Sequence, residues 1–63
     1  MKPSENLKKR LEFSFKESHN LKGFKKMIDN SIIAYEEGER HYTLSDYKVL
    51  LLLDNVLEKI VRQ

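Results

Sequence analysis

RLEFSFK, residues 10–16, reads two ways, and the fold turns on which is taken. As a strand it alternates, with Leu11, Phe13 and Phe15 on one side and Arg10, Glu12, Ser14 and Lys16 on the other. As part of a helix from Ser4, it places Leu7, Leu11 and Phe15 on one face with Ser14 and Ser18, and strands Phe13 opposite. Ser4 and Glu5 supply a helix start, and the Leu7–Leu11–Phe15 row continues for three turns, so the helix is the preferred reading.

The rest of the chain reads as helix more plainly. In YTLSDY, Thr43 is an N-cap and Asp46, three residues on, its reciprocal partner. Tyr42 and Tyr47 fall at the hydrophobic-staple positions. The helix that follows is expected to run over 44–62. Val49, Leu50, Leu52, Leu53, Val56, Leu57, Ile60 and Val61 fill about half its circumference, wider than the roughly 100° stripe that faces one core. Leu53 and Leu57 are expected at the centre of that stripe. The segment before it is expected to be helical over 20–37, with Leu21, Phe24, Ile28, Ile32 and Tyr35 inward. Ser18 or Asn20 caps its start, and Gly38 suits a left-handed residue just past its end. Gly23 weakens the first turn. The connection is short, so the two helices form an antiparallel hairpin.

The expected fold is therefore all-α: one domain spanning 1–63, a three-helix bundle in which a shorter N-terminal helix folds across the hairpin. A chain of 63 residues hides only about 60% of its unfolded surface, so outside help is expected. There is no Cys, which excludes disulfides and thiolate metal sites. The surplus width of the last helix is expected to meet the first segment and a second copy of the chain, giving a homodimer.

Charge is uneven. Residues 1–30 carry eight Lys and Arg against four acids, and residues 31–63 carry four against six. The start of the chain lacks an apolar run of the secretory kind, and the longest apolar run, Val49–Leu53, is far below the roughly 20 residues of a membrane span. A cytoplasmic protein without membrane contact is expected.

Catalysis has little to work with. A triad needs nucleophile, base and orienter together. His19 and His41 stand at opposite ends of the second helix, about 30 Å apart if it is straight. No HExxH and no phosphate-binding loop is present. His41 near Glu36, Glu37 and Glu39 is too scattered a set for a metal. The expectation is a non-enzyme with no cofactor, no metal and no small-molecule substrate.

Binding is the remaining class. Phe13, Ile33, Tyr47 and Leu51 fall on otherwise polar faces and form the candidate surface for a partner protein or a second copy. A small regulatory or adaptor protein is the function expected. Nucleic acid is the competing partner. KKRLEFSFKES resembles the opening of ribbon-helix-helix DNA-binding proteins, and TLSD resembles the start of that family's second helix. The resemblance implies that residues 10–16 form a strand in a dimeric transcriptional repressor. It implies that Lys8, Lys9, Arg10, Ser14 and Lys16 are the nucleic-acid-binding residues, while Leu11, Phe13 and Phe15 close the dimer core. Two features depart from the family. The distance from Phe15 to Thr43 is too long, and Glu12 would face phosphate. Single-stranded RNA needs exposed aromatics among bases, which Phe13 and Phe15 beside Lys8, Lys9, Arg10 and Lys16 supply unless those rings are core.

Overall fold

The computed structural model describes residues 3–39 and 41–62. Lys2 and Arg40, counted in the charge above, lie outside them. The described residues form three helices: α1 Glu5–Glu17, α2 Leu21–Glu36 and α3 Leu44–Val61. The preference for helix over 10–16 is borne out, and with it the all-α bundle. The strand that the ribbon-helix-helix resemblance implied is not formed: residues 10–16 lie in the interior of α1.

Each helix starts on a polar side chain that accepts a backbone N–H three residues on. Ser4 Oγ accepts from Leu7 at 3.2 Å, Asn20 Oδ1 from Gly23 at 2.8 Å and Thr43 Oγ1 from Asp46 at 3.1 Å. Thr43 and Asp46 complete the expected capping box. Of the two expected caps for α2, Asn20 is the one used, while Ser18 closes α1. α2 ends in a paired motif: Gly38 N–H donates to Tyr35 O at 3.0 Å and Glu39 N–H to Ala34 O at 2.9 Å. That turn requires positive φ, and Gly38 adopts 106°. Asn20, Glu37 and Arg62, which the sequence put inside the hairpin helices, are their caps.

α2 and α3 are the main packed pair, and α1 lies chiefly on α2. The pair is antiparallel: Lys25 near the start of α2 meets Asp54 and Glu58 late in α3, while Glu36 at its end meets Tyr47 early in α3. The core comprises Leu7, Ile28, Ile32, Leu50 and Leu57, with Leu11, Phe24, Tyr42, Tyr47, Val49 and Leu53 against it.

Two expected faces are rotated. On α1, Leu7, Leu11 and Ser14 turn inward and Phe15 turns out, 68% exposed. Eight residues at 100° each carry Phe15 about 80° past Leu7, whereas Ser14 stays within about 20° of it. On α3, the inward row is Leu50 and Leu57, and Leu53 is half-buried at its edge. The wide stripe is thus split, one side buried and the other in solvent. On α2, Leu21 is exposed at the first turn, while Ile28 and Ile32 are buried as expected.

Candidate functional site

Leu52, Val56 and Ile60 follow one another at four-residue intervals, so they form a single slanting row along α3. They are 66%, 48% and 44% exposed. Half-buried Val49 and Leu53 lie between this row and the buried Leu50 and Leu57. The flank remains open because α1 leans on α2 and approaches α3 at its N-terminal end. At the opposite end, Phe15, Leu21 and Phe24 line a shallow cleft of about 360 Å³ with Ser18, His19 and Asn20. Phe15 and Phe24 meet edge to face, ring centroids 5.9 Å apart.

The four residues expected to form the partner surface are spread over all three helices: exposed Phe13 on α1, exposed Ile33 on α2, and exposed Leu51 with half-buried Tyr47 on α3. Phe13 lies under the Arg10 guanidinium, 5.6 Å from the ring centroid. Tyr47 is engaged internally: it stacks on Tyr35 at 4.6 Å and donates its hydroxyl to Glu36. The hydroxyl is correspondingly harder to ionise than an ordinary tyrosine, first because of that bond to Glu36. Of the residues assigned to nucleic acid, Lys8, Lys9, Arg10 and Lys16 are exposed, whereas Ser14 is fully buried and cannot face a duplex.

The polar contact that positions α1 was not legible in the local sequence pattern. Asp46 is completely buried. Its carboxylate accepts Thr43 N–H at 3.0 Å, its half of the α3 capping box, and also Ser4 N–H at 2.7 Å and Ser4 Oγ–H at 2.6 Å. One carboxylate thereby ties together the first residues of α1 and α3. Asn6 Nδ2 adds a bond to His41 O at 3.0 Å. Burial opposes the charge on Asp46, but the bonds from Ser4 and Thr43 outweigh it and hold the carboxyl below its usual range. The signal available was Asp at the third position of a capping box, but its second partner lies 42 residues away.

A second polar cluster fixes α2 to α3. Lys25 Nζ lies 2.9 Å from Asp29 Oδ2, 3.1 Å from Glu58 Oε2 and 3.2 Å from Asp54 Oδ1, the last without hydrogen-bond alignment. Glu58 also accepts from Arg62 Nε at 2.7 Å. The carboxylates of Asp29, Glu58 and Asp54, Asp29 first, raise Lys25 above the usual lysine range. Contact with Asp54 and then Lys25 lowers Asp29, and the same contact with Asp29 raises Asp54. Lys25 and then Arg62 lower Glu58. These charges satisfy one another, so the cluster serves as a lock between helices.

His19 precedes α2 and His41 follows it, and His41 Nε2 stands 3.3 Å from Glu39 Oε1. Among the described residues no group of three His, Cys, Asp or Glu is arranged to hold a metal ion. No helix among them is long and apolar enough to cross a membrane. Compared with protein families, curated proteins and solved structures, the chain matches none.

Proposed function

We propose that this chain is a small cytoplasmic regulator or adaptor that binds protein without catalysis, and that the open flank of α3 is its binding surface. The observation that carries this reading is the exposed row Leu52, Val56 and Ile60 beside a completed core. An apolar row that folding leaves in water is covered at little cost by another apolar helix, and each residue it buries contributes to affinity. A second copy of the chain is the first occupant, making the protein a homodimer, and a partner protein competes for the same face. Phe13, Ile33 and Leu51 are scattered and serve as rim at most.

The test places a photo-crosslinking residue at Leu52 and, as a control, at Lys26, which is exposed on the polar side of α2. In the native cell, position 52 is expected to capture either a second copy or a discrete partner, while position 26 captures neither. Sedimentation of the purified protein reads the self-association directly. A monomer up to millimolar concentration, together with no capture at position 52 above that at 26, removes the proposal.

A further inference from the structure

Single-stranded RNA required Phe13 and Phe15 to lie outside the core, and the core reading of these rings stood against it. The structure removes that ground, because both rings are at the surface. Phe13 is the more informative of the two. It is 49% exposed and lines a cleft of about 400 Å³ with Asn6, Lys9, Arg10, His41 and Tyr42. A second cleft of about 260 Å³ adjoins it, sharing Arg10, His41 and Tyr42 and continuing to Asn30, Ser31 and Ala34 of α2. Glu39 lines this second cleft and lies against His41. The first cleft has cations, aromatic rings and amides on its walls and no carboxylate.

The spacing places cation and ring in register. Lys9, Phe13 and Lys16 follow at intervals of four and three, so they share one face of α1, whose edge on one side carries the exposed carboxylates Glu5 and Glu12. All three are exposed, and among the described residues neither Lys9 nor Lys16 forms an ion pair with a carboxylate. The Arg10 guanidinium covers one side of the Phe13 ring, which sets a planar cation and a ring side by side. A nucleobase stacks on such a platform whatever its identity, and the flanking cations take the phosphates on either side. The clefts are open, and Lys16 extends the basic face beyond them, which favours a strand over a single free nucleotide.

We infer that the Lys9–Arg10–Phe13–Lys16 face of α1, with the cleft closed by His41 and Tyr42, binds single-stranded nucleic acid by stacking and charge. This site is separate from the apolar flank of α3.

The full chain is titrated against a fluorescein-labelled oligouridine of about ten nucleotides in about 50 mM salt, read by anisotropy. The chain has no Trp, so Phe13→Trp creates a single reporter whose emission is quenched when a base stacks on it. Saturable binding, quenching of that reporter, and a loss of roughly 5- to 150-fold in affinity for Phe13→Ser are expected. Three cations predict a log–log salt slope of about −2, falling to about −0.7 when Lys9 and Arg10 are both changed to Gln. Leu52→Gln leaves all of this unchanged, which separates the site from the protein-binding surface. The inference is overturned if the oligouridine does not bind, or if folded Phe13→Ser binds as the unaltered protein does. It is equally overturned if uridine monophosphate competes mole for mole, or if duplex binds more tightly than single strand.

Discussion

Replacing Asp46 with Asn tests how α1 is held. The carboxylate accepts three hydrogen bonds, two from Ser4 and one from Thr43, the last being its half of the α3 capping box. The amide has the same shape but one acceptor oxygen fewer, so a donor must face the N–H of either Ser4 or Thr43. Hydrogen bonds to a charged group contribute about 1.5–3 kcal/mol each, and capping about 1 kcal/mol. Asp46→Asn is therefore expected to cost about 2–3 kcal/mol and Asp46→Ala about 4 kcal/mol. A chain of this length has roughly 3–9 kcal/mol in total, so the alanine variant loses about half of it or more.

The pH dependence has a definite sign. The folded carboxyl lies below its usual value of 3.8, so its contribution is present above that value and is lost as pH falls through the folded one. Asp29 and Glu58 are also lowered and act in the same direction in both proteins. The Asp46 share is the difference between the two curves. Urea unfolding from neutral pH downward is expected to show the unaltered protein losing its advantage over Asp46→Asn below about pH 4. Hydrogen exchange at Leu7 N–H reports release of α1 at neutral pH and is expected to quicken in the variant. Parallel curves with a constant gap, and unchanged exchange at Leu7, refute the reasoning.

Two further sets of variants follow from the packing. Leu50→Ala and Leu57→Ala are each expected to cost about 2–5 kcal/mol, Leu53→Ala less, and Leu52→Ala close to nothing in monomer stability by chemical denaturation; a large loss at Leu52 at low protein concentration contradicts the assigned face. The two glycines are expected to respond with opposite signs: Gly38→Ala loses about 1 kcal/mol because φ is 106° there, while Gly23→Ala gains about 0.5–1 kcal/mol, since its Cβ meets Asn20 Oδ1 at an ordinary 3.4 Å. Thermal melts of the two variants check this pair.

The fold was legible where a local rule was enough. Ser4, Asn20 and Thr43 as caps, Gly38 as terminator and the short hairpin connection act within a few residues, and all hold. Side-chain facing was harder. The row Leu7–Leu11–Phe15 looked continuous because each step is four residues, yet each step drifts about 40°, and Phe15 ends up in water with Ser14 in its place. Leu50 and Leu52 stand about 160° apart round α3, at opposite edges of its stripe, and the limited reach of α1 covers only one edge. A wheel shows that a stripe is too wide for one neighbour, but not which edge the neighbour takes. Of the expected partner set, Phe13, Ile33 and Leu51 are exposed as their wheels imply, whereas Tyr47 packs against the core and stacks on Tyr35; a wheel does not show how the helices turn such residues toward one another.

How much of α3 is covered depends on the composition of α1. Its inward positions are Leu7, Leu11, Ser14 and Ser18, two aliphatic side chains followed by two hydroxyls. The buried Ser14 Oγ finds no hydrogen-bond partner, so the second half of α1 gains little by pressing deeper into the hairpin. Its N-terminal end is held by Asp46, and its C-terminal end by the contact of Phe15 with Phe24. Ser14 is fully buried, so a Leu there would overpack the contact and push α1 away from the hairpin rather than let it sink deeper. Two hydroxyls in place of aliphatic side chains thus give α1 little apolar area to add to the core in its second half, while the row Leu52, Val56 and Ile60 on α3 stays in solvent and Lys9, Arg10, Phe13 and Lys16 stay exposed on α1.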